Sequence, residues 1–314
     1  MNLYKIKIKI KTPFATIPKG DTIFGHLCWQ IVQNQGEEAL HNLLSDYKNE
    51  PFMVISDFLI NNTISKPPIS NSLFGIKFDP KKRKEIKAKN IIKIDELIEN
   101  KFILNKDFIN NKTYLKKEYE YKESIVIRNS IDRLTSTTKK GFDPYASYRY
   151  DYDLKINNIA YLYILIDNNK DISIEQIYKY LKQIGDSGFG KDASIGYGKF
   201  DVIEYKEFEF KNDNTNALIT LSPSVLSKQN FKKAWYETFV RFGKHGNYLA
   251  HSLVWKNPII LADSFALVIS EYKKYIGQGL GGNGEISKSL KETVHQGYAI
   301  TIPVTLELEN EEFI

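Results

Sequence analysis

The sequence predicts an α+β fold of two tandem ferredoxin-like units, and three observations predict it. Each half opens strand–helix–strand. Each half closes on a strand preceded by a glycine-rich loop. A polar linker at 212–216 separates them. The repetition is one of pattern rather than residue identity, and it sets the units at 1–211 and 212–314.

Taken in order, Leu3 to Ile10 alternates apolar residues with lysine, the signature of a half-buried strand. Lys19-Gly20-Asp21 makes a turn, and Asp21 or Thr22 caps a helix running to about Gln35. A second strand covers Phe52 to Ile60 and is closed by Lys66-Pro67-Pro68. Residues 77–122 are rich in lysine with weak periodicity, and read as an insertion or a mobile excursion. Ile159 to Ile166 is a strand, Ile174 to Ile184 a helix and Lys199 to Phe210 a strand. In the second half Ala217 to Leu221 is a strand. Phe231 to Phe242 is expected to be a helix, with Phe231, Trp235, Thr238 and Phe242 at helical spacing. Pro258 to Ile269 is mostly strand, and Tyr298 to Leu308 is the last one.

Composition narrows the class. The chain has 314 residues, 42% of them hydrophobic, enough to build two cores and to exclude a disordered tail. A single cysteine, Cys28, excludes a disulfide framework and a cysteine-rich zinc site. The N-terminus opens directly into a strand pattern, and the longest apolar stretch, Ile259 to Ile269, is too short to span a bilayer. A soluble cytoplasmic protein with no membrane contact is expected. The net charge of +6 favours an acidic partner such as nucleic acid. Lysine supplies nearly all of that charge. The only arginines are Arg83, Arg128, Arg133, Arg149 and Arg241, and three of the five fall between 128 and 149. Arginine kept in a lysine-biased chain marks places where a planar fork is needed for phosphate or carboxylate.

Between Gly185 and Gly198 the chain reads G-D-S-G-F-G-K-D-A-S-I-G-Y-G. Glycine at this density frees backbone amides to converge on an anion, and Lys191 and Ser194 add side-chain contacts. It is not a nucleotide-hydrolysis loop. Asp192 stands where a Walker motif needs Ser or Thr, and the loop follows a helix instead of opening one. The second cluster, Gly277 to Gly284, lacks the following lysine and is a weaker signal.

On the helix at 21–35, Ile23, Phe24, Leu27, Cys28 and Ile31 form an apolar face, while Thr22, His26, Trp29 and Gln33 lie opposite. An exposed tryptophan there calls for a covering partner or the other domain. His26 beside a phosphate cradle suggests a metal-independent endoribonuclease using a general acid or base, but no second acid–base group stands at a helpful spacing. Ser124 to Arg133 reads S-I-V-I-R-N-S-I-D-R, followed by Phe142, Tyr145, Tyr148, Arg149, Tyr150 and Tyr152. Aromatics interleaved with arginine suit single-stranded RNA, which offers bases to stack and phosphates to pair. A tyrosine-rich hairpin with ordinary surface pairs such as Arg149–Asp151 is the plain alternative.

Three segments carry a family resemblance: Lys-Gly-Asp-Thr-Ile-Phe-Gly-His-Leu-Cys-Trp at 19–29, Ile-Arg-Asn-Ser-Ile-Asp-Arg at 127–133, and Gly-Phe-Gly-Lys-Asp-Ala-Ser-Ile-Gly-Tyr-Gly-Lys-Phe at 188–200. Together they resemble the RAMP superfamily of CRISPR proteins. Within it they are similar to the family of fourth subunits of type III-A (Csm) effector complexes, the Cas-five-like subunit. Arg241-Phe242-Gly243 and His295-Gln296-Gly297-Tyr298 suit the C-terminal half of that family. Gln296 stands where the pattern has proline, and no role is carried over to His295.

The resemblance implies RRM-like domains and a β-hairpin thumb, here about 134–150. It implies binding of the repeat-derived 5′ tag of a guide RNA, and docking beside the large signature subunit and a backbone RAMP subunit. It also implies an antiviral role with no catalysis, cofactor or metal in this subunit. Gly188, Gly190, Lys191, Ser194, Gly196 and Gly198 would cradle tag phosphates. Arg128, Asn129 and Arg133 would grip RNA near the thumb, and Lys19, Thr22 and His26 would line the adjacent face. A pure protein-binding scaffold is the further alternative.

Overall fold

The computed structural model describes residues 1–77, 80–81, 83–119, 121–129, 131–132, 135–138, 145–151, 158–226, 231–246 and 254–309. It is a mixed α/β fold with few helices and many strands. The first half runs β1 (Asn2–Ile10), α1 (Gly20–Gln35), α2 (Glu37–Leu44), β2 (Met53–Ile55) and β3 (Leu59–Ile60). Then come β4 (Thr63–Ser65), α3 (Arg83–Ala88), β5 (Lys89–Lys93), α4 (Ile94–Glu99), β6 (Ile103–Leu104), α5 (Lys106–Asn111) and β7 (Thr113–Leu115). A hairpin of β8 (Lys122–Arg128) and β9 (Tyr145–Asp151) leads to β10 (Ile159–Ile166), α6 (Ile174–Ser187) and β11 (Phe200–Glu207).

The first sheet has the order β11-β1-β10-β2, all antiparallel, with β3 continuing the edge beside β10. Its central strands explain the sequence pattern. In β1 the isoleucines at 6, 8 and 10 are buried while Lys7 and Lys9 point outward, a period of two that fixes the register. Helices α1 and α6 lie side by side, with Asn34 bonded to Gln183 and Gln35 to the Tyr180 hydroxyl. The start of α6 is set by a capping box, Ser173 with Gln176. At the start of α1, a Cβ on Gly20 would stand 2.2 Å from the Ile55 carbonyl oxygen, so glycine is what lets helix and strand meet there.

The described part of residues 77–122 forms regular elements: β5 and β7 join β4 in a three-stranded sheet, and β6 adds in parallel to a strand of the C-terminal half. Ile92, Ile94, Leu97, Phe102, Leu104 and Phe108 enter the main core. The lysines face water and dilute the periodicity, which hid an apolar set spaced by short elements.

The second half runs β12 (Ala217–Thr220), β13 (Lys233–Trp235), β14 (Thr238–Arg241), β15 (Ile259–Ala262), β16 (Leu267–Ile269), β17 (Tyr275–Gly277), β18 (Leu280–Gly281), β19 (Val294–His295) and β20 (Tyr298–Leu306). Its main sheet has the order β13-β16-β12-β20-β17. The helix expected over Phe231–Phe242 is instead two strands, and the described C-terminal residues contain no helix. The reason is visible in β14. Phe239 and Arg241 turn inward while Thr238, Val240 and Phe242 turn out, so the working period is two. Four residues at helical spacing were a coincidence of an alternating, β-branched and aromatic run.

The two halves share one continuous core, which includes Ile6, Leu27 and Leu162 from the first and Ile219, Leu267 and Ile302 from the second. Gln296 helps to join them. Its side-chain oxygen accepts from the Ile55 amide at 2.9 Å, and its amide donates to the Ile55 carbonyl at 2.8 Å. One buried amide side chain thereby satisfies both polar groups of an edge residue in β2. No described helix is long and apolar enough to cross a membrane.

Candidate nucleic-acid interface

The glycine loop leaves α6 at Gly188 and turns into β11. Gly188, Gly190, Gly196 and Gly198 all have positive φ, and so does Asp192 at 65°. At Gly198 (φ 70°) a Cβ would fall 2.2 Å from the Phe189 carbonyl, so here glycine is required by close approach as well as by conformation. The loop's amides are largely spent inside the protein. Phe189 donates to the Gly198 carbonyl, Gly198 to that of Pro13, Lys191 to the Thr16 hydroxyl, and Ile195 and Tyr197 to the Asp192 carbonyl. Several amides of the expected cradle are thus committed to internal bonds, and the loop also presents side chains. Lys191 and Ser194 are exposed on it.

The stem of the β8–β9 hairpin comes to this loop. Arg128 Nη2 stands 3.1 Å from Asp192 Oδ2, and its guanidinium lies 5.7 Å from the centre of the Tyr197 ring. Its Nε is buried with no hydrogen-bond partner. Arg149, on the same side of the ribbon, donates from Nε to Ser124 Oγ at 2.6 Å and to Asp151 Oδ2 at 2.9 Å. Asn129, just past the end of β8, is exposed. Strand pairing explains the division. Ser124 faces Arg149 across the ladder, with Val126 and Arg128 on the same side, whereas Ile125 and Ile127 point the other way and are 58% and 67% exposed. Arg133, and residues 134 and 139–144 of the expected 134–150 thumb, lie outside the described residues.

The three residues named on α1 meet different fates. His26 packs its ring 4.5 Å from that of Phe189, so it is joined to the glycine loop. Burial takes its pKa down to about 4, leaving a neutral ring near pH 7. Lys19 is committed elsewhere. Its ammonium binds Asp263, lies 3.9 Å from Asp57 and sits over the Phe239 ring. The Thr22 hydroxyl donates to the Lys19 carbonyl within the first turn of α1.

Asp21, the neighbour of that lysine, is the most enclosed ion of the chain's described part. Arg241 grips it with both arms of its fork, Nε to Oδ2 at 2.6 Å and Nη2 to Oδ1 at 2.8 Å, and His295 Nε2 lies 3.4 Å away. Burial would raise its pKa, but His295 and Arg241 together hold it well below the usual carboxylate range. Asp57, also buried, accepts from the Gly20 amide at 2.8 Å and the Ser264 hydroxyl at 2.5 Å, yet burial pushes it up to about 6. Sequence reasoning missed this network. Asp21 was read as a helix cap, and its partners lie 220 and more positions away. The lone arginine at 241 in a lysine-rich half was the available signal.

Trp29 is half-buried, near Gly246, in a groove of about 680 Å³ between α1, α2 and the loops of the second half. Cys28 and Lys256 also line it; burial pushes the thiol up to about 12 and lowers the ammonium. Among the described residues no group of three His, Cys, Asp or Glu side chains is placed to hold a metal ion.

Comparison with known proteins places this geometry. Over 97–99% of its length the chain superposes on solved structures from CRISPR assemblies. One is a Csm1–Csm4 cassette in complex with cA4, with TM-score 0.61, 15% identity and 99% of that chain covered. Another is a Csm3–Csm4 subcomplex of the type III-A CRISPR-Cas interference complex, with TM-score 0.58, 17% identity and 100% covered. A third is a Csm1–Csm4 cassette with pppApA, at TM-score 0.58 and 15% identity, all of that chain being covered. At these identities the likeness is one of fold. No curated protein sequence matches the chain. The model of the RAMP superfamily matches residues 14–201, which include α1, the β8–β9 stem and the glycine loop, and the chain therefore belongs to the RAMP superfamily.

Proposed function

We propose that this chain is a non-catalytic subunit of a type III-A CRISPR effector complex that holds the 5′ repeat-derived tag of the guide RNA. The observation that carries the reading is the convergence of Arg128 on the glycine loop at Asp192, beside Arg149, Tyr197, Lys191, Ser194 and Asn129. Two guanidinium groups, a lysine and the Tyr197 ring beside them are what single-stranded RNA needs for phosphate pairing and base stacking. Lys19 and Thr22 enter this reading as supports of α1, because their polar groups are bound internally. His26 enters as a packing residue of the loop.

The same reading takes the first half, 1–211, as a ferredoxin-like unit and 212–314 as a second unit reduced to its strands. It also assigns a docking role. The outward Ile125 and Ile127 of the hairpin, and Val240, Phe242 and Ile260 of the β14–β15 ribbon, are large exposed apolar side chains on narrow ribbons. Contact with the large signature subunit and the first backbone subunit would cover such surfaces. The fold shared with chains of Csm1–Csm4 and Csm3–Csm4 assemblies supports that role.

The test incubates the purified chain with labelled repeat–spacer RNA and a chelator, following binding and cleavage together. Tight binding without cleavage, weakened when the tag is altered, is expected. Cleavage abolished by His26→Ala would replace this reading with a processing endoribonuclease.

A further inference from the structure

The Arg128–Asp192 pair joins a cation that the proposed function needs to an anion of the chain itself. We propose that Asp192 is an internal stand-in for an RNA phosphate: its carboxylate occupies the Arg128 fork in the free chain and is displaced when RNA binds. This deepens the reading of the site as an RNA interface and rests on it.

Four observations carry the inference. Asp192 lies on the loop between two glycines of positive φ, and itself adopts the left-handed conformation, with φ 65° and ψ 14°. Its backbone carbonyl accepts from the Ile195 and Tyr197 amides, which fixes the residue's backbone within the loop. The side chain is therefore aimed by the fold, and it reaches Arg128 Nη2 at 3.1 Å. The pair is also incomplete. A carboxylate matched to guanidinium takes two parallel bonds, whereas here one oxygen meets one nitrogen and the buried Nε of Arg128 has no hydrogen-bond partner. The contrast within the same chain is Arg241, which binds Asp21 through both nitrogens in a closed site.

Finally, the pair is not sealed. The side chains of Arg128 and Asp192 keep 21% and 16% of their exposure, and exposed Lys191, Ser194 and Asn129 lie beside them in sequence. A monodentate, partly solvated ion pair contributes little, so an incoming phosphate that makes two bonds displaces it at small cost. The consequence is that Arg128 is kept oriented and charge-neutralised until RNA arrives.

Asparagine at 192 is a fitting probe, because it adopts the left-handed conformation as readily as aspartate and removes only the charge. The full chain is titrated with labelled repeat–spacer RNA as wild type, Asp192→Asn, Arg128→Ala and the double variant. Asp192→Asn is expected to tighten binding roughly two- to fivefold, the range of an exposed ion pair. Arg128→Ala is expected to weaken it roughly tenfold. The gain from Asp192→Asn should vanish in the Arg128→Ala background, since the two act on one contact. Loss of affinity with Asp192→Asn would overturn the proposal and make Asp192 a positioning residue for Arg128. An equal gain in both backgrounds would overturn it too, by reducing the effect to overall charge. If the wild type fails to bind RNA at all, the RNA-interface reading falls first; if it binds and only the aspartate variant is silent, this inference alone falls.

Discussion

Two regions of the molecule use the same chemical pair, arginine with aspartate, for opposite ends. At the start of α1, Arg241 holds Asp21 by two bonds in a site where the carboxylate has no exposure. At the glycine loop, Arg128 meets Asp192 by one contact with both partners still partly wet. The first pair joins the two halves of the chain and turns both Nε and Nη2 of the guanidinium onto one buried carboxylate. The second leaves the buried Nε of Arg128 without a hydrogen-bond partner. Enclosure of the carboxylate, and not residue type, separates this structural pair from the one we propose for binding.

The widest separation of the two regions should come from Arg241→Ala. It strands a fully buried carboxylate, and the chain should lose about 3–5 kcal/mol of stability in urea unfolding. A loss under about 1 kcal/mol would mean that Asp21 is solvated and the contrast is false. Next comes Gly198→Ala on the loop side. The added Cβ meets the Phe189 carbonyl at 2.2 Å in a left-handed position, so roughly 1–3 kcal/mol should go, together with RNA affinity as the loop shifts. Unchanged affinity in this variant would detach the loop from the interface. Arg128→Ala should do the reverse of Arg241→Ala, with stability altered by less than about 1 kcal/mol and the salt dependence of RNA binding made shallower by about one unit of slope. Thermal unfolding and a titration across salt concentrations read the two effects separately.

The smallest effect is a pH dependence in which the two regions oppose each other. The folded His26 ring titrates at about 4 and the unfolded one at 6.5, so stability is lost as pH falls through that window. Folded Asp57 titrates at about 6 against 3.8 unfolded, so it keeps a proton that the unfolded chain gives up, and stability is regained as pH falls between those values. The two contributions offset in the wild-type chain. Asp57→Asn keeps an acceptor for the Gly20 amide and removes the titration, so its midpoint should drop more steeply from pH 6.5 to 4.5 than that of the wild type. Parallel curves for the two proteins would show that Asp57 does not hold its proton in the fold.

Legibility in the sequence followed the range of the interactions. Strand β1, helix α1, strand β10 and helix α6 were read from local periodicity, because each buries a face set by residues close in sequence. The glycine loop was read for the same reason, and two of its glycines, Gly188 and Gly198, also serve close backbone approach. The β13–β14 segment was misread as helix because two periods overlapped in it, and only pairing with β16 and β15 selects the strand. Lys19 looked like a ligand residue because its acceptors, Asp57 and Asp263, lie far along the chain.

By itself, then, the sequence determined the mixed α and β framework, the family, and the segments from which the proposed interface is built. What tertiary structure decided is which charges are available to a ligand. It buried Asp21 and committed Lys19 and Arg241 to ion pairs within the chain, brought Arg128 to Asp192 across 64 positions, and joined part of the lysine-rich 77–122 stretch to the C-terminal sheet. The physical reason is that periodicity is a property of neighbours along the chain. Desolvation and ion pairing belong to neighbours in space, and chain order leaves those unspecified.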